Sequence, residues 1–179
     1  PYVHFLGNAS HDVTGSMYAV RFGTHNILLE CGLIQDNRDI KTLYNANRDQ
    51  INSIKANTIT CSIAPHGNHS DHMGLYPALF HKGYKGSVFV PEGNKKFLEI
   101  MWADNLKIMT SDCQKIERKW GKPAPVLFNE DDIQVALDHL VEIPYNYPIH
   151  ISNDVMFEFL PSGHIINAAS VLLTLTQSN

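Results

Sequence analysis

The most informative part of this sequence is Pro65-His66-Gly67-Asn68-His69-Ser70-Asp71-His72-Met73-Gly74. It places three imidazoles and one carboxylate within seven residues, a donor set that suits Zn²⁺, with Mn²⁺ or Fe as alternatives. The stretch follows a strand pattern at residues 57–64 and precedes helical spacing at 75–81, and loops at strand ends commonly carry catalytic groups. The sequence therefore predicts a metal site. The plainer alternative is a solvated loop whose histidines only titrate near neutral pH.

The rest of the chain alternates between strand and helix patterns. Further strands are predicted at residues 2–6, 16–22, 26–30, 87–90, 155–160 and 170–176. The polar run at 35–52 predicts a long loop with one turn of helix. Longer helices are predicted at about 95–119, with Phe97, Ile100, Met101, Leu106 and Ile108 on one apolar side, and at 131–140, with Asn129 as N-cap. This order indicates an α/β layered domain and not a regular βαβ series.

Composition bounds the class of protein. The 179 residues, 44% of them hydrophobic, suffice for one globular domain. No apolar run approaches the roughly 18–20 residues of a membrane span, and no cationic leader precedes an apolar stretch, so we expect no membrane partner. Three cysteines, an odd number without paired spacing, predict reduced thiols in a cytoplasmic protein. The net charge of −4, without a dense Lys/Arg run, gives no electrostatic footprint for nucleic acid.

Several separated blocks resemble a known superfamily in the same order. The histidine stretch is similar to the His-x-His-x-Asp-His signature of the metallo-β-lactamase superfamily. Other blocks resemble its β-CASP branch, which includes ribonuclease J and the endonuclease of pre-messenger RNA 3′-end processing. These blocks are FLG at 5–7, VTGS at 13–16, ILLECGLIQ at 27–35 and LPSGHIINAASV at 160–171. The resemblance covers nearly the whole chain.

This resemblance implies a fold, a site and an activity. The fold would be the αββα four-layer sandwich of the superfamily, with residues 1–179 forming approximately its N-terminal half. His66, His69 and His164 would bind one metal ion, and Asp71 and His72 the second, giving two Zn²⁺ per complete site, or Mn²⁺ in their place. Asp71 and His72 would also be catalytic, with Asp71 orienting and deprotonating the attacking water. The implied activity is hydrolysis of RNA phosphodiester bonds, as endonuclease, 5′ exonuclease or both.

Three departures from the family pattern affect these expectations. Two residues, Gly67 and Asn68, separate His66 from His69 where the family has one, so either His66 is a displaced ligand or Gly67 occupies the ligand position and one donor is lost. Glu30 stands where the family usually has aspartate supporting the metal loop. The chain also lacks the bridging aspartate, the β-CASP cassette and the returning C-terminal segment.

The third departure bears on activity and partners. We expect this fragment alone to be inactive, with RNA bound through the missing cassette and the site completed by the remainder of the polypeptide or by a partner chain. A homodimer is an open alternative. Two other functions stay open from the sequence: a non-catalytic scaffold with a degraded metal site, and a superfamily hydrolase of a small ester, thioester or lactam.

Overall fold

The computed structural model describes residues 1–177 and contains two β-sheets. The first has six strands in sequence order, of which β1 to β3 pair antiparallel and β3 to β6 parallel. They are β1 Tyr2–Phe5, β2 Tyr18–Phe22, β3 His25–Leu29, β4 Cys61–Ile63, β5 Val88–Pro91 and β6 Leu140–Ile143. The second sheet is antiparallel in the order β7 Ile149–His150, β8 Val155–Pro161 and β9 Ala169–Leu175. The predicted α/β class is confirmed.

The helices pack on one face of the first sheet. They are α1 Ile40–Asn52, α2 Ser70–Met73, α3 Tyr76–His81, α4 Asn94–Trp120 and α5 Glu130–Asp138. One hydrophobic cluster joins them to the sheet, and Leu28, Leu79 and Trp102 lie in it. A second cluster lies between the two sheets and includes Ile63 and Phe157. The described residues therefore form three successive layers: helices, sheet and sheet.

The polar run at 35–52 was predicted as a loop, and that prediction is wrong for most of its length. Helix α1 begins at Ile40, and the Asp39 carboxylate caps it by accepting hydrogen bonds from the backbone N–H groups of residues 41 and 42. Its buried face carries the amides Asn47 and Gln50 beside Ile51. Asn47 accepts from Ile34 N at 2.8 Å, and Gln50 donates to Gly32 O at 2.9 Å. The apolar periodicity is weak because amide side chains take part of the burial.

Helix α4 was predicted correctly in extent and in part of the face it buries, since Met101 and Leu106 pack against the core. Phe97, Ile100 and Ile108 are exposed, whereas Leu98 and Trp102 are buried, together with Asn105, Cys113 and Ile116. The helix is bounded by two glycines in the left-handed region, at positions 93 and 121.

Other predicted elements match with small changes. Strand β4 is shorter than the predicted 57–64 because residues 56–58 form a 3₁₀ turn. Asn129 caps α5 as predicted, in a reciprocal capping box with Asp132. All three cysteines are free and buried. Within residues 1–177, no helix combines the length and apolar character that a membrane crossing requires.

Candidate metal centre

The histidine loop is held by backbone hydrogen bonds to the segment that leaves β3 and to the segment that precedes β2. Cys31 N donates to His72 O at 2.8 Å, and Ser16 N donates to Asp71 O at 2.9 Å. Gly32 permits the close approach of these segments, because a Cβ at this position would lie 1.6 Å from Asp71 O. The main chain of Asp71 and His72 is therefore fixed independently of any metal.

A second set of backbone contacts brings in the segment that carries His164. Residues His66 and Ala168 form an antiparallel bridge, and Ala169 N donates to Pro65 O at 3.0 Å. Residue 66 follows β4 of the first sheet, while residues 168 and 169 lie at the start of β9 in the second. The loop that bears His164 is therefore held beside the histidine loop.

The structure brings the four predicted histidines into one cluster. The ring centroids of His66 and His72 lie 4.4 Å apart, and those of His69 and His72 lie 5.9 Å apart. The His164 ring stands edge-on to the rings of His66 and His69, with centroid separations of 5.8 Å and 5.7 Å. Residues separated by almost a hundred positions thus share one small volume.

Glu30 lies at the base of this cluster. Its Oε1 atom is 2.7 Å from His66 Nδ1 and 2.9 Å from His72 Nδ1. The residue is buried and adopts a left-handed backbone with φ of 61°, which is uncommon for a residue with a side chain. Burial by itself would raise the pKa of the Glu30 carboxyl, but the neighbouring His66 and His72 lower it below its ordinary value of 4.5. The ionised carboxylate therefore accepts the hydrogen bond, and His66 donates it through Nδ1.

Asp71 lies farther from its histidine neighbours. Its Oδ1 is 3.8 Å from His69 Nδ1, and its Oδ2 is 3.6 Å from His72 Nε2. Two donor atoms that share a tetrahedral Zn²⁺ at about 2.1 Å are separated by about 3.4 Å. The Asp71 separations are close to this value, whereas those of Glu30 are hydrogen-bond distances. Asp71 therefore has the spacing of a ligand and Glu30 that of a supporting group.

The residues present fit a divalent metal. Two groups of three residues each bring their donor atoms within 4.8 Å of one another. One group is Glu30, His66 and His72, and the other is His69, Asp71 and His72. His72 belongs to both groups, and its buried Nδ1 lies 2.9 Å from Glu30 Oε1 without any other hydrogen-bond partner among the described residues. Although burial would lower it, the pKa of His72 is raised by the Glu30 and Asp71 charges. An ion bound here would relieve the crowding of charge and polar atoms. His164 is exposed and belongs to neither of these groups.

Helix α4 supports the histidine loop through two residues that the sequence did not identify as part of the site. Trp102 Nε1 donates to Met73 O at 2.9 Å, and Ser70 Oγ donates to Asn105 Oδ1 at 3.1 Å. Both bonds hold α2, which bears Asp71 and His72. The sequence predicted Trp102 as a packing residue, which it also is, but no local pattern indicates its hydrogen-bond partner.

The order of these layers identifies the fold. The chain has the metallo-β-lactamase fold, as two solved structures show. One is an archaeal metallo-β-lactamase superfamily protein from Sulfolobus tokodaii, with a TM-score of 0.52 and 18% identity over 96% of this chain and 59% of that one. The other is BJP-1, a subclass B3 metallo-β-lactamase of Bradyrhizobium japonicum, with a TM-score of 0.50 and 15% identity over 92% of this chain and 52% of that one.

The curated relatives that the chain resembles include two ribonucleases and a transcription termination factor. A ribonuclease from Thermus thermophilus is 26% identical over 92% of this chain and 33% of its own length. From Methanocaldococcus jannaschii, a probable RNase is 28% identical over 92% of this chain and 34% of its own length. The transcription termination factor FttA of that organism is 27% identical over 93% of this chain and 24% of its own length.

These relatives confirm the similarity to RNA-processing hydrolases that the sequence blocks indicated. The chain spans about a third of the length of the two ribonucleases and about a quarter of the termination factor. No family model matches the chain.

Proposed function

We propose that this chain is the metal-binding part of a hydrolase that cleaves RNA phosphodiester bonds at a dinuclear zinc site. The observation that carries the proposal is the meeting of His66, His69, Asp71, His72 and His164 in one cluster at the strand ends. The cluster supports a metal-dependent hydrolase, and the names of the curated relatives support RNA as the substrate.

The proposed roles of the side chains are those that the resemblance to the family implies. His66, His69 and His164 would hold one ion, and Asp71 and His72 the other. When bound, two divalent ions supply Lewis acidity toward phosphate oxygens and favour a deprotonated water nucleophile. Asp71 directs one carboxylate oxygen toward His69 and the other toward His72, so it can orient an attacking water between the two sides and accept its proton. The Glu30 carboxylate keeps His66 in the tautomer that leaves Nε2 free to bind.

The charge of this chain does not favour binding of the RNA backbone. Its net charge of −4 opposes a polyanion, and a metal-binding cluster would neutralise phosphate only at the scissile bond. We therefore expect the backbone of the RNA to be bound by the further part of a longer polypeptide or by a partner chain.

The test is cleavage of an end-labelled single-stranded RNA by the full-length protein, with zinc content measured on the same preparation. We expect about two equivalents of zinc, loss of cleavage with a chelator, and loss of cleavage in Asp71→Asn. Asp104→Asn, on the exposed side of α4, is the matched control and should cleave normally. A folded protein with less than one equivalent of zinc would favour a non-catalytic scaffold. Turnover of a small ester or lactam without cleavage of RNA would overturn the substrate class.

A further inference from the structure

Two of the sequence departures meet at the same point of the structure. Counted back from His69 with the spacing of the family, the first ligand position falls on Gly67. A Cβ built on Gly67 would lie 2.2 Å from Asn94 Cγ and 2.5 Å from Asn94 Cβ. Asn94 is fully buried, and its Nδ2 donates to Asn167 O at 2.9 Å. A side chain at position 67 would therefore collide with a fixed residue at the start of α4.

Residue 66 has the placement that residue 67 lacks. Its backbone is paired with Ala168, and His69 N donates to His66 O at 3.3 Å across a turn over Gly67 and Asn68. This turn absorbs the additional residue of the loop. The His66 ring consequently stands within the cluster, with its centroid 4.4 Å from that of His72 and 5.8 Å from that of His164.

The second departure supplies the group that orients this ring. Glu30 accepts a hydrogen bond from His66 Nδ1 at 2.7 Å, which leaves Nε2 as the metal-binding nitrogen. The same oxygen lies 2.9 Å from His72 Nδ1. An aspartate on the same backbone would be shorter by one carbon–carbon bond of about 1.5 Å, and its carboxylate would not reach both rings.

We propose that the two departures compensate each other: His66, and not residue 67, supplies the first metal ligand, and the longer side chain of Glu30 is the positioning residue that brings it there. Glu30 in this way links a ligand of one ion, His66, to a ligand of the other, His72. The inference rests on the proposed metal site and specifies its first ligand.

The test is a zinc competition titration on the purified protein, with the visible spectrum of the Co²⁺ form as a second measurement. His66→Gln should weaken zinc binding at one site by about 100-fold or more, and Glu30→Asp by about 10- to 100-fold, and both should change the Co²⁺ spectrum. His66→Gln/Gly67→His, which returns the histidine to the spacing of the family, should not restore binding. The matched control is His150→Gln, on the exposed strand β7.

The outcomes separate this inference from the proposed function. If the unaltered protein binds no zinc, the proposed metal site itself fails. If it binds zinc and His66→Gln leaves the affinity and the Co²⁺ spectrum unchanged, the first ligand is not His66. If the double variant restores binding, position 67 can carry the ligand in spite of Asn94, and the claim that only residue 66 has the required placement fails. If Glu30→Asp binds zinc as the unaltered protein does, the longer side chain has no positioning role. Thermal melts of each variant separate loss of a ligand from loss of the fold.

Discussion

Replacement of Trp102 by phenylalanine is expected to loosen the loop that carries Asp71 and His72. The indole is fully buried, and its N–H donates to Met73 O at 2.9 Å. Loss of the donor leaves a buried carbonyl without this partner, at a cost of about 1–3 kcal/mol. The two lost ring carbons cost about 1.5 kcal/mol more, at roughly 0.8 kcal/mol per buried carbon. We therefore expect a loss of about 3 kcal/mol in the free energy of unfolding.

Urea unfolding and thermal melting of the metal-free protein measure this loss. At about 2–4 °C per kcal/mol for a chain of this size, Tm should fall by roughly 6–12 °C. Trp120→Phe is the matched control, since it makes the same change at the other end of α4, where the ring is only half-buried and lies against Lys41 and Lys119. Equal effects of the two substitutions would refute the reasoning, because they would mean that the bond to the histidine loop contributes nothing.

Three further predictions concern the support of the site and of α5. Metal-free Glu30→Gln should be less stable than the unaltered protein from about pH 4.5 to 6.5, where the Glu30 carboxylate and the protonated His72 attract each other. The difference in stability should shrink when pH falls through the lowered pKa of Glu30 and when it rises through the raised pKa of His72. Urea titrations at several pH values measure it, and a difference that stays constant with pH would contradict the prediction. Gly67→Ala should lower the free energy of unfolding by about 1–3 kcal/mol through the collision with Asn94, and an unchanged urea midpoint would show that Asn94 can move aside. Asn129→Ala should cost about 1 kcal/mol in urea unfolding through loss of the α5 cap, whereas Asn129→Asp, which keeps the capping oxygen, should cost little.

The sequence indicated which histidine side chains lie together better than it predicted the elements around them. The spacing of His66 to His72 and the separate block around His164 indicated which side chains would meet, because ligand types and their order are local features. Helix α1 was missed because Asn47 and Gln50 satisfy loop backbone groups from its buried face. These partners lie far along the chain, and a polar run gives no sign of them.

The supporting residues were hidden for the same reason. The sequence around Trp102 is that of an ordinary buried aromatic residue, and it does not show that the indole N–H donates to Met73 O. The sequence left open whether His66 supplies the first ligand or whether Gly67 occupies that position and one donor is lost, because spacing alone does not show which way the His66 side chain points. The packing of Asn94 against Gly67, and the reach of Glu30 to two rings, are properties of the folded chain.

The bridge between His66 and Ala168 has a consequence for the order in which the protein assembles. His66, His69, Asp71 and His72 follow a strand of the first sheet, and His164 precedes a strand of the second. The complete set of donors exists only after the two sheets have docked, so an ion held by both would bind late and would slow their separation without hastening their association. Unfolding in excess zinc should then become slower while refolding keeps its rate, because the ion would bind only after the two sheets have come together.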